Sequence, residues 1–248
     1  MATDARFNVP ASLEALVGLY QAKEQGGVRY RLPSWTKALD GVPGDPLRLL
    51  ADSGVTAESS NKTYAARGDR VATREAVTTA CAETDLDDDA AVIAAFVLVM
   101  AWGSGTSNGR SLRNTRNALS DPAAAADELR AAALTLRSTP DIDDAGVLEA
   151  HRRFSLSGVG EPFFTKWFAF AGVVPDRDWQ PLILDSRVRA TLNKTLDVWL
   201  NKLSDVRRDP ERYVAYLTAL HRWPEQLPMP VTPERLEWIL FTHAGKPV

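Results

Sequence analysis

Apolar residues recur along most of this chain at helical spacing. In residues 12–25, Leu13, Leu16, Val17 and Tyr20 fall on one face and Gly26-Gly27 closes the run, which predicts an amphipathic helix. Residues 90–102 are apolar nearly all round, as expected of a central buried helix, and Gly103-Ser104-Gly105 stops it. The acids of residues 85–89 stand just before it, where they suit the helix dipole. Further helices are expected over residues 70–83, 121–137 (Asp121 as N-cap, Pro122 at the first position), 143–154, 186–203, 209–223 and 232–241. In residues 186–203, Val188, Leu192, Leu196 and Trp199 share a face. Residues 28–55 are interrupted by Pro33, Gly41, Pro43, Gly44 and Pro46. They read as short helices and loops, with Trp35 and Leu39 as anchors. Residues 53–68 read as a connection. Extended structure is expected only at residues 182–184 and 28–32. The predicted fold is mainly α, a helical bundle around a buried central helix with little or no sheet. It is read as one domain over residues 1–248, with 1–68 as an N-terminal cover segment and 70–248 as the helical core.

Composition narrows the function classes. Across 248 residues, 45% apolar and 25% charged content suit a globular protein with a core that needs no staples. The one cysteine, Cys81, excludes an internal disulfide framework and a four-cysteine zinc or iron–sulfur site. His151, His221 and His243 lack metal-ligand spacing, and no Walker loop, GxSxG elbow or dinucleotide fingerprint occurs, so neither a metal nor a cofactor is expected. No signal peptide is expected from the start of the chain, and residues 90–102 fall short of the ~20 a bilayer span needs; a monomer in the cytoplasm is the reading. The net charge of −3 argues weakly against nucleic acid, but its distribution argues the other way. Residues 103–119 hold Arg110, Arg113 and Arg116 and no acid, and residues 185–194 hold Arg187, Arg189 and Lys194 against Asp185.

The chemistry concentrates in residues 154–188. A glycine turn, Leu156-Ser157-Gly158-Val159-Gly160, joins two helical stretches over residues 143–172. Glycine there permits close approach, and N–H groups opening the second helix can receive a phosphate oxygen. Pro162 is tolerated in its first turn. The helix carries one lysine, Lys166. An apolar triplet, Leu182-Ile183-Leu184, then delivers Asp185, which is also placed to cap the helix from Ser186. The segment resembles the helix-hairpin-helix motif of DNA-binding proteins. Together with Leu184-Asp185-Ser186-Arg187-Val188 it resembles the helix-hairpin-helix DNA glycosylase superfamily over roughly residues 96–203. The segments AWGSG, GVGEPFFTKWFAFAG and PLILDSRV are similar to bacterial 8-oxoguanine-DNA-glycosylase-like OGG-fold proteins, a group that includes anti-phage glycosylases excising alpha-glucosyl-hydroxymethylcytosine.

That resemblance implies a DNA N-glycosylase whose partner is double-stranded DNA with a modified base, with no iron–sulfur cluster. Asp185 stands at the family's essential aspartate. The bifunctional members carry their lysine two residues after the hairpin's second glycine, where this chain has Pro162. Lys166 lies one turn further on the same face, as a possible nucleophile. The expected DNA contacts are Gly158, Val159, Gly160, Arg187, Arg110, Arg113 and Arg116. The expected base pocket is Trp102, Ser104, Asn108, Phe163, Trp167, His221 and Trp223. Excision of a glucosylated cytosine of phage DNA is the first substrate reading, with repair of an oxidised or alkylated purine as its rival. A non-catalytic hairpin module that binds DNA and a helical protein-interaction domain remain as readings from other classes.

Overall fold

The computed structural model of the chain describes residues 4–104 and 109–246. Its described residues form fourteen α-helices and a small three-stranded sheet, so the chain is mainly α. No described helix is long and apolar enough to cross a membrane.

The centre is α6 (Asp89–Trp102), buried without interruption from Ala91 to Ala101. Its N-cap Asp88 accepts from the Ala90 N–H at 2.9 Å. An all-apolar helix must be covered on every side, and five helices share the task. They are α3 (Arg48–Ala51), α5 (Arg74–Ala82), α7 (Gly109–Ala118), α8 (Pro122–Ser138) and α10 (Glu161–Ala171). The alanine run of α8 lets its backbone approach closely, with Ala125, Ala126, Ala132 and Ala133 all buried. Trp167 of α10 packs edge-on to Phe96 of α6 and donates its indole N–H to Leu129 O of α8 at 3.0 Å, locking the three helices together. Helix α9 (Ala145–Arg153) runs into the glycine turn, and α10 follows it. Phe154, Phe164, Phe168 and Tyr213 form one aromatic cluster under the hairpin.

The sheet modifies the expectation for residues 28–83. Strand β1 (Val28–Arg31) pairs antiparallel with β3 (Asp69–Ala72), which also pairs with β2 (Ala57–Glu58), in the order β1-β3-β2. The helix expected over residues 70–83 therefore begins later, at Arg74, where the Thr73 hydroxyl caps it by accepting from Ala76 N–H. The pairing that claims residues 69–72 lies some forty positions upstream, out of reach of a local period. Tyr30 of β1 is buried and donates to Leu50 O at 2.7 Å, tying the sheet to α3.

The helix expected over residues 186–203 is also interrupted. Helix α11 (Ser186–Lys194) ends, Asp197 takes a left-handed turn with φ 53°, and a short α12 (Leu200–Leu203) follows, with Trp199 43% exposed instead of sharing the buried face. Helix α13 (Asp209–Gln226) and α14 (Pro233–His243) complete the bundle, α14 packing on α11 and on α1 (Leu13–Tyr20).

Residues 182–184, where extended structure is expected, are buried and belong to no strand or helix. Their backbone is paired by side chains instead. Ile183 N–H donates to Glu237 Oε2 at 2.7 Å and Leu184 N–H to Thr165 Oγ1 at 3.2 Å. The Tyr213 hydroxyl donates to Leu182 O and the Tyr216 hydroxyl to Ile183 O. Burial pushes both phenols well above the usual tyrosine range, so both stay protonated as donors. A segment buried outside helix and sheet needs such partners for its N–H and C=O groups.

Candidate active site

That segment ends at Asp185, which caps α11. Its Oδ1 accepts from Arg187 N–H at 2.9 Å and from Val188 N–H at 3.0 Å. The cap fixes the carboxylate's orientation and leaves Oδ2 facing Lys166, whose Nζ lies 3.8 Å away. Lys166 is 5% exposed, and its ammonium donates to Pro162 O at 2.6 Å. Side chains on a helix lean toward its N-terminus, so a lysine at 166 brings its amine back over residue 162. The turn of offset in sequence is thus recovered by the length of the side chain. Burial pulls the Lys166 pKa below the usual lysine range, and the charges of Asp185 and Glu237 only partly offset it.

Asp185 and Lys166 share a cavity of about 130 Å³ with Arg74, Trp102, Gly103 and Glu237. Its remaining wall comes from Ile183, from Trp238 and Phe241 of α14 and from Gln25, Gly26 and Val28. Larger surface grooves exist, one of about 640 Å³ beside Phe7 and Arg222, but Asp185 and Lys166 line neither it nor the others described. At the back, Arg74 and Glu237 form a buried bidentate pair at 2.7 and 3.1 Å. Because Glu237 also holds Ile183 N–H, this pair anchors the buried segment that presents Asp185.

Gly103 matters for space. A Cβ there would lie 2.5 Å from Lys166 Cδ and 2.9 Å from Cε. Gly103→Ala is expected to displace the lysine arm while the fold persists. The checks are the rate at which an amine-reactive probe labels Lys166, which should change, and thermal melting, which should shift by only a few degrees.

The glycine turn lies beside α7. Gly158 has φ +77°, and a Cβ on it would meet Asn114 Cα at 3.5 Å. Val159 is buried, and among the described residues the N–H groups of Gly158 and Gly160 meet no acceptor. Glu161 opens α10 between His151 (3.1 Å) and Arg189. Burial alone would raise its pKa, but those two partners hold it below the usual carboxylate range. Arg110, Arg113 and Arg116 project from the exposed face of α7, and no described acid pairs with them. Arg187 is exposed and lies over the Phe241 ring at 4.2 Å, at the rim of the cavity.

Of the expected pocket residues, Trp102 lines the cavity and Phe163 stands next to it, its ring 5.7 Å from Lys166 Nζ. Ser104 donates to Ala101 O at the end of α6, and Asn108 lies outside the described residues. Three expectations need correction. Trp167 and Trp223 are core residues, 0% and 1% exposed. His221 accepts from Gln180 N–H at 3.0 Å and donates to Leu217 O at 2.8 Å, and burial lowers its pKa. It holds the loop before residue 182 and does not line the cavity. Arg74, Glu237, Trp238, Phe241 and Gln25 were not anticipated. One signal for Glu237 was available: an acid next to the buried face set by Leu236, Ile239 and Leu240.

Among the described residues, no cluster of three or more histidines, cysteines or acids could hold a metal ion. A family model described as putative 8-oxoguanine DNA glycosylase OGG-like protein matches residues 21–241, which takes in the segment ahead of the hairpin as well as the hairpin itself. Comparison with curated proteins and with solved structures returns no match.

Proposed function

Since the chain belongs to the OGG-like 8-oxoguanine DNA glycosylase family, we propose that it is a DNA N-glycosylase that draws a modified base out of the duplex into the cavity beside Asp185 and cuts its glycosidic bond. The observation that carries this reading is the pair Asp185 and Lys166, 3.8 Å apart in one buried cavity. Breaking an N-glycosidic bond builds positive charge on the deoxyribose, and a capped, oriented carboxylate stabilises that charge. The depressed pKa of Lys166 raises the share of uncharged amine. That amine can attack C1′, expel the base and leave a Schiff base after ring opening. Without amine attack, a water activated by Asp185 gives a plain abasic site.

The substrate we propose is a cytosine derivative, in the first instance glucosylated hydroxymethylcytosine of phage DNA, excised as a defence. A cavity of about 130 Å³ supports a single-ring base, since a pocket of about 150 Å³ admits benzene. The appended sugar would lie outward, at the mouth near Gly103. The same size argues against a purine, the rival substrate. The enzyme would work as a monomer in the cytoplasm on double-stranded DNA, with the glycine turn and α7 gripping the backbone.

Incubation with phage DNAs that differ only in cytosine modification tests the substrate. Alkali-labile sites should appear in glucosylated DNA; inertness there, with cleavage of DNA containing 8-oxoguanine, would hand the substrate to the purine reading. The grip has its own test. Replacing Arg110, Arg113 or Arg116 by alanine is expected to weaken binding to all sequences alike and to reduce the slope of log K against log salt by about 1 each. Anisotropy titrations at several salt concentrations measure it.

A further inference from the structure

A second cavity, of about 300 Å³, opens between the three-stranded sheet and α7. Among its walls are Arg29 and Arg31 of β1, Asp69 of β3, Ser34 of α2 (Leu32–Ala38), and Gly109 and Leu112 of α7. Alternate residues of a strand share a face, so Arg29 and Arg31 emerge side by side. Both are held by the buried carboxylate of Asp69, the residue paired with Arg31 across the strands. Arg31 Nε donates to Oδ1 at 3.1 Å, and Arg29 Nη1 lies 3.2 Å from Oδ2. The Tyr64 ring fixes Arg29 further, its centre 3.5 Å from the guanidinium carbon. Asp69 is the one acid lining this cavity among the described residues, so one of the two guanidinium charges is left without an opposite. Arg31 is exposed, and no hydrogen bond among the described residues takes up its Nη1 or Nη2. A guanidinium held at Nε keeps its terminal N–H groups for a second anion, in a planar fork that suits phosphate.

This cavity shares one element with each part of the candidate site. Val28, at the start of β1, lines the cavity of Asp185, and Arg31 lies three residues along the same strand, about 10 Å away. Helix α7 presents Gly109 and Leu112 here and Asn114 to the Gly158 turn, about 8 Å of helix from Gly109. Arg113 and Arg116 continue the stripe of Gly109 and Leu112 at helical spacing, exposed and paired with no described acid. Uncompensated positive charge thus follows α7 from the glycine turn to the sheet.

We propose, resting on the DNA reading above, that Arg29 and Arg31 bind a backbone phosphate of the duplex close to the extruded nucleotide. The sheet ahead of the helical core is then part of the DNA grip and not a cover. A phosphate brings negative charge to a cavity with a surplus of positive charge, and the Arg31 terminal N–H groups and the Ser34 hydroxyl are donors for its oxygens. Such a contact is blind to sequence. It fixes where the duplex lies and leaves the choice of base to the cavity of Asp185. A strand held there keeps its backbone in place while the base turns out of the stack. A free phosphate ion has the same chemistry, and the continuity of charge along α7 to the glycine turn favours the strand.

Two substitutions change the charge of this cavity and keep a partner for Asp69. Arg31→Gln leaves Arg29 beside the carboxylate. Gly109→Asp adds a negative charge where a Cβ meets nothing within 4 Å among the described residues, and an acid suits the first turn of a helix. Gly109→Asn matches its shape without the charge. Anisotropy titrations with an unmodified duplex at several salt concentrations measure binding, and melting temperatures check the fold. Arg31→Gln, and Gly109→Asp relative to Gly109→Asn, should each weaken binding by about 3- to 10-fold near physiological salt and lower the slope of log K against log salt by about 1. A set of duplexes, each with one neutral methylphosphonate, locates the contact: at one position the replacement should weaken the wild type and leave Arg31→Gln unaffected. DNA affinity unchanged in both charge variants overturns the proposal, and base release by the same preparations would leave the glycosylase reading standing. Inorganic phosphate bound by the wild type but not by Arg31→Gln, with DNA affinity unchanged, overturns it in favour of a free anion. Weaker DNA binding in both variants of a protein that releases no base from any modified duplex supports the contact and counts against the glycosylase reading.

Discussion

Asp185→Asn is expected to lower the single-turnover rate of base excision by about 10²- to 10⁴-fold while leaving DNA affinity within a few-fold of the wild type. Asparagine is as good an N-cap as aspartate, so Oδ1 can still accept from Arg187 and Val188 N–H and α11 stays in place. The substitution removes only the negative charge. With it goes the stabilisation of charge developing on the sugar, together with the one carboxylate within 4 Å of Lys166 among the described residues. Loss of an interaction made in the transition state and absent from the ground state lowers the rate and spares binding. Rapid-quench kinetics beside equilibrium binding separates the two. An equal loss of affinity would mean that Asp185 acts through the fold.

The second large effect is on stability. Glu237→Ala is expected to destabilise the protein by about 3–5 kcal/mol, because it strands the Arg74 guanidinium in the interior and leaves Ile183 N–H without its acceptor. Removing both charges together, as Arg74→Met with Glu237→Leu, should recover much of that loss, since a buried pair replaced by apolar groups of similar size is often neutral. Recovery will be incomplete, because the Ile183 N–H stays unpaired in the double variant. Urea unfolding with an unchanged m-value measures both proteins. Equal stability of Glu237→Ala and the wild type would remove the anchoring role given to this pair.

Much of this molecule was legible in its sequence, and particular residues show why. The central helix α6 is apolar on every face, a pattern only a buried helix satisfies. Asp185 stood out because an apolar triplet ended in one acid directly ahead of a helix. Lys166 was the one lysine in an apolar helix, and the lean of its side chain explains how it reaches the cavity from a position one turn late. What was not legible depends on pairing across long sequence distances. Residues 69–72 join a strand some forty positions earlier, and nothing local to them announces it. The same holds for Arg74 and Glu237, each unremarkable alone and informative only as a buried pair 163 positions apart. Aromatic residues misled in the other direction. Trp167 and Trp223 carry a polar handle that suits a pocket, but the core claimed them both.

Direct detection of the products tests whether a base leaves DNA at Asp185. A duplex with one glucosylated hydroxymethylcytosine is incubated with excess protein and the products are weighed by mass spectrometry. Free modified base and an abasic or cleaved strand are expected in equal amounts from the wild type, and neither at a comparable rate from Asp185→Asn. Release of the base at the wild-type rate by Asp185→Asn, or an intact strand with no free base from the wild type on this and every other modified duplex, would contradict it.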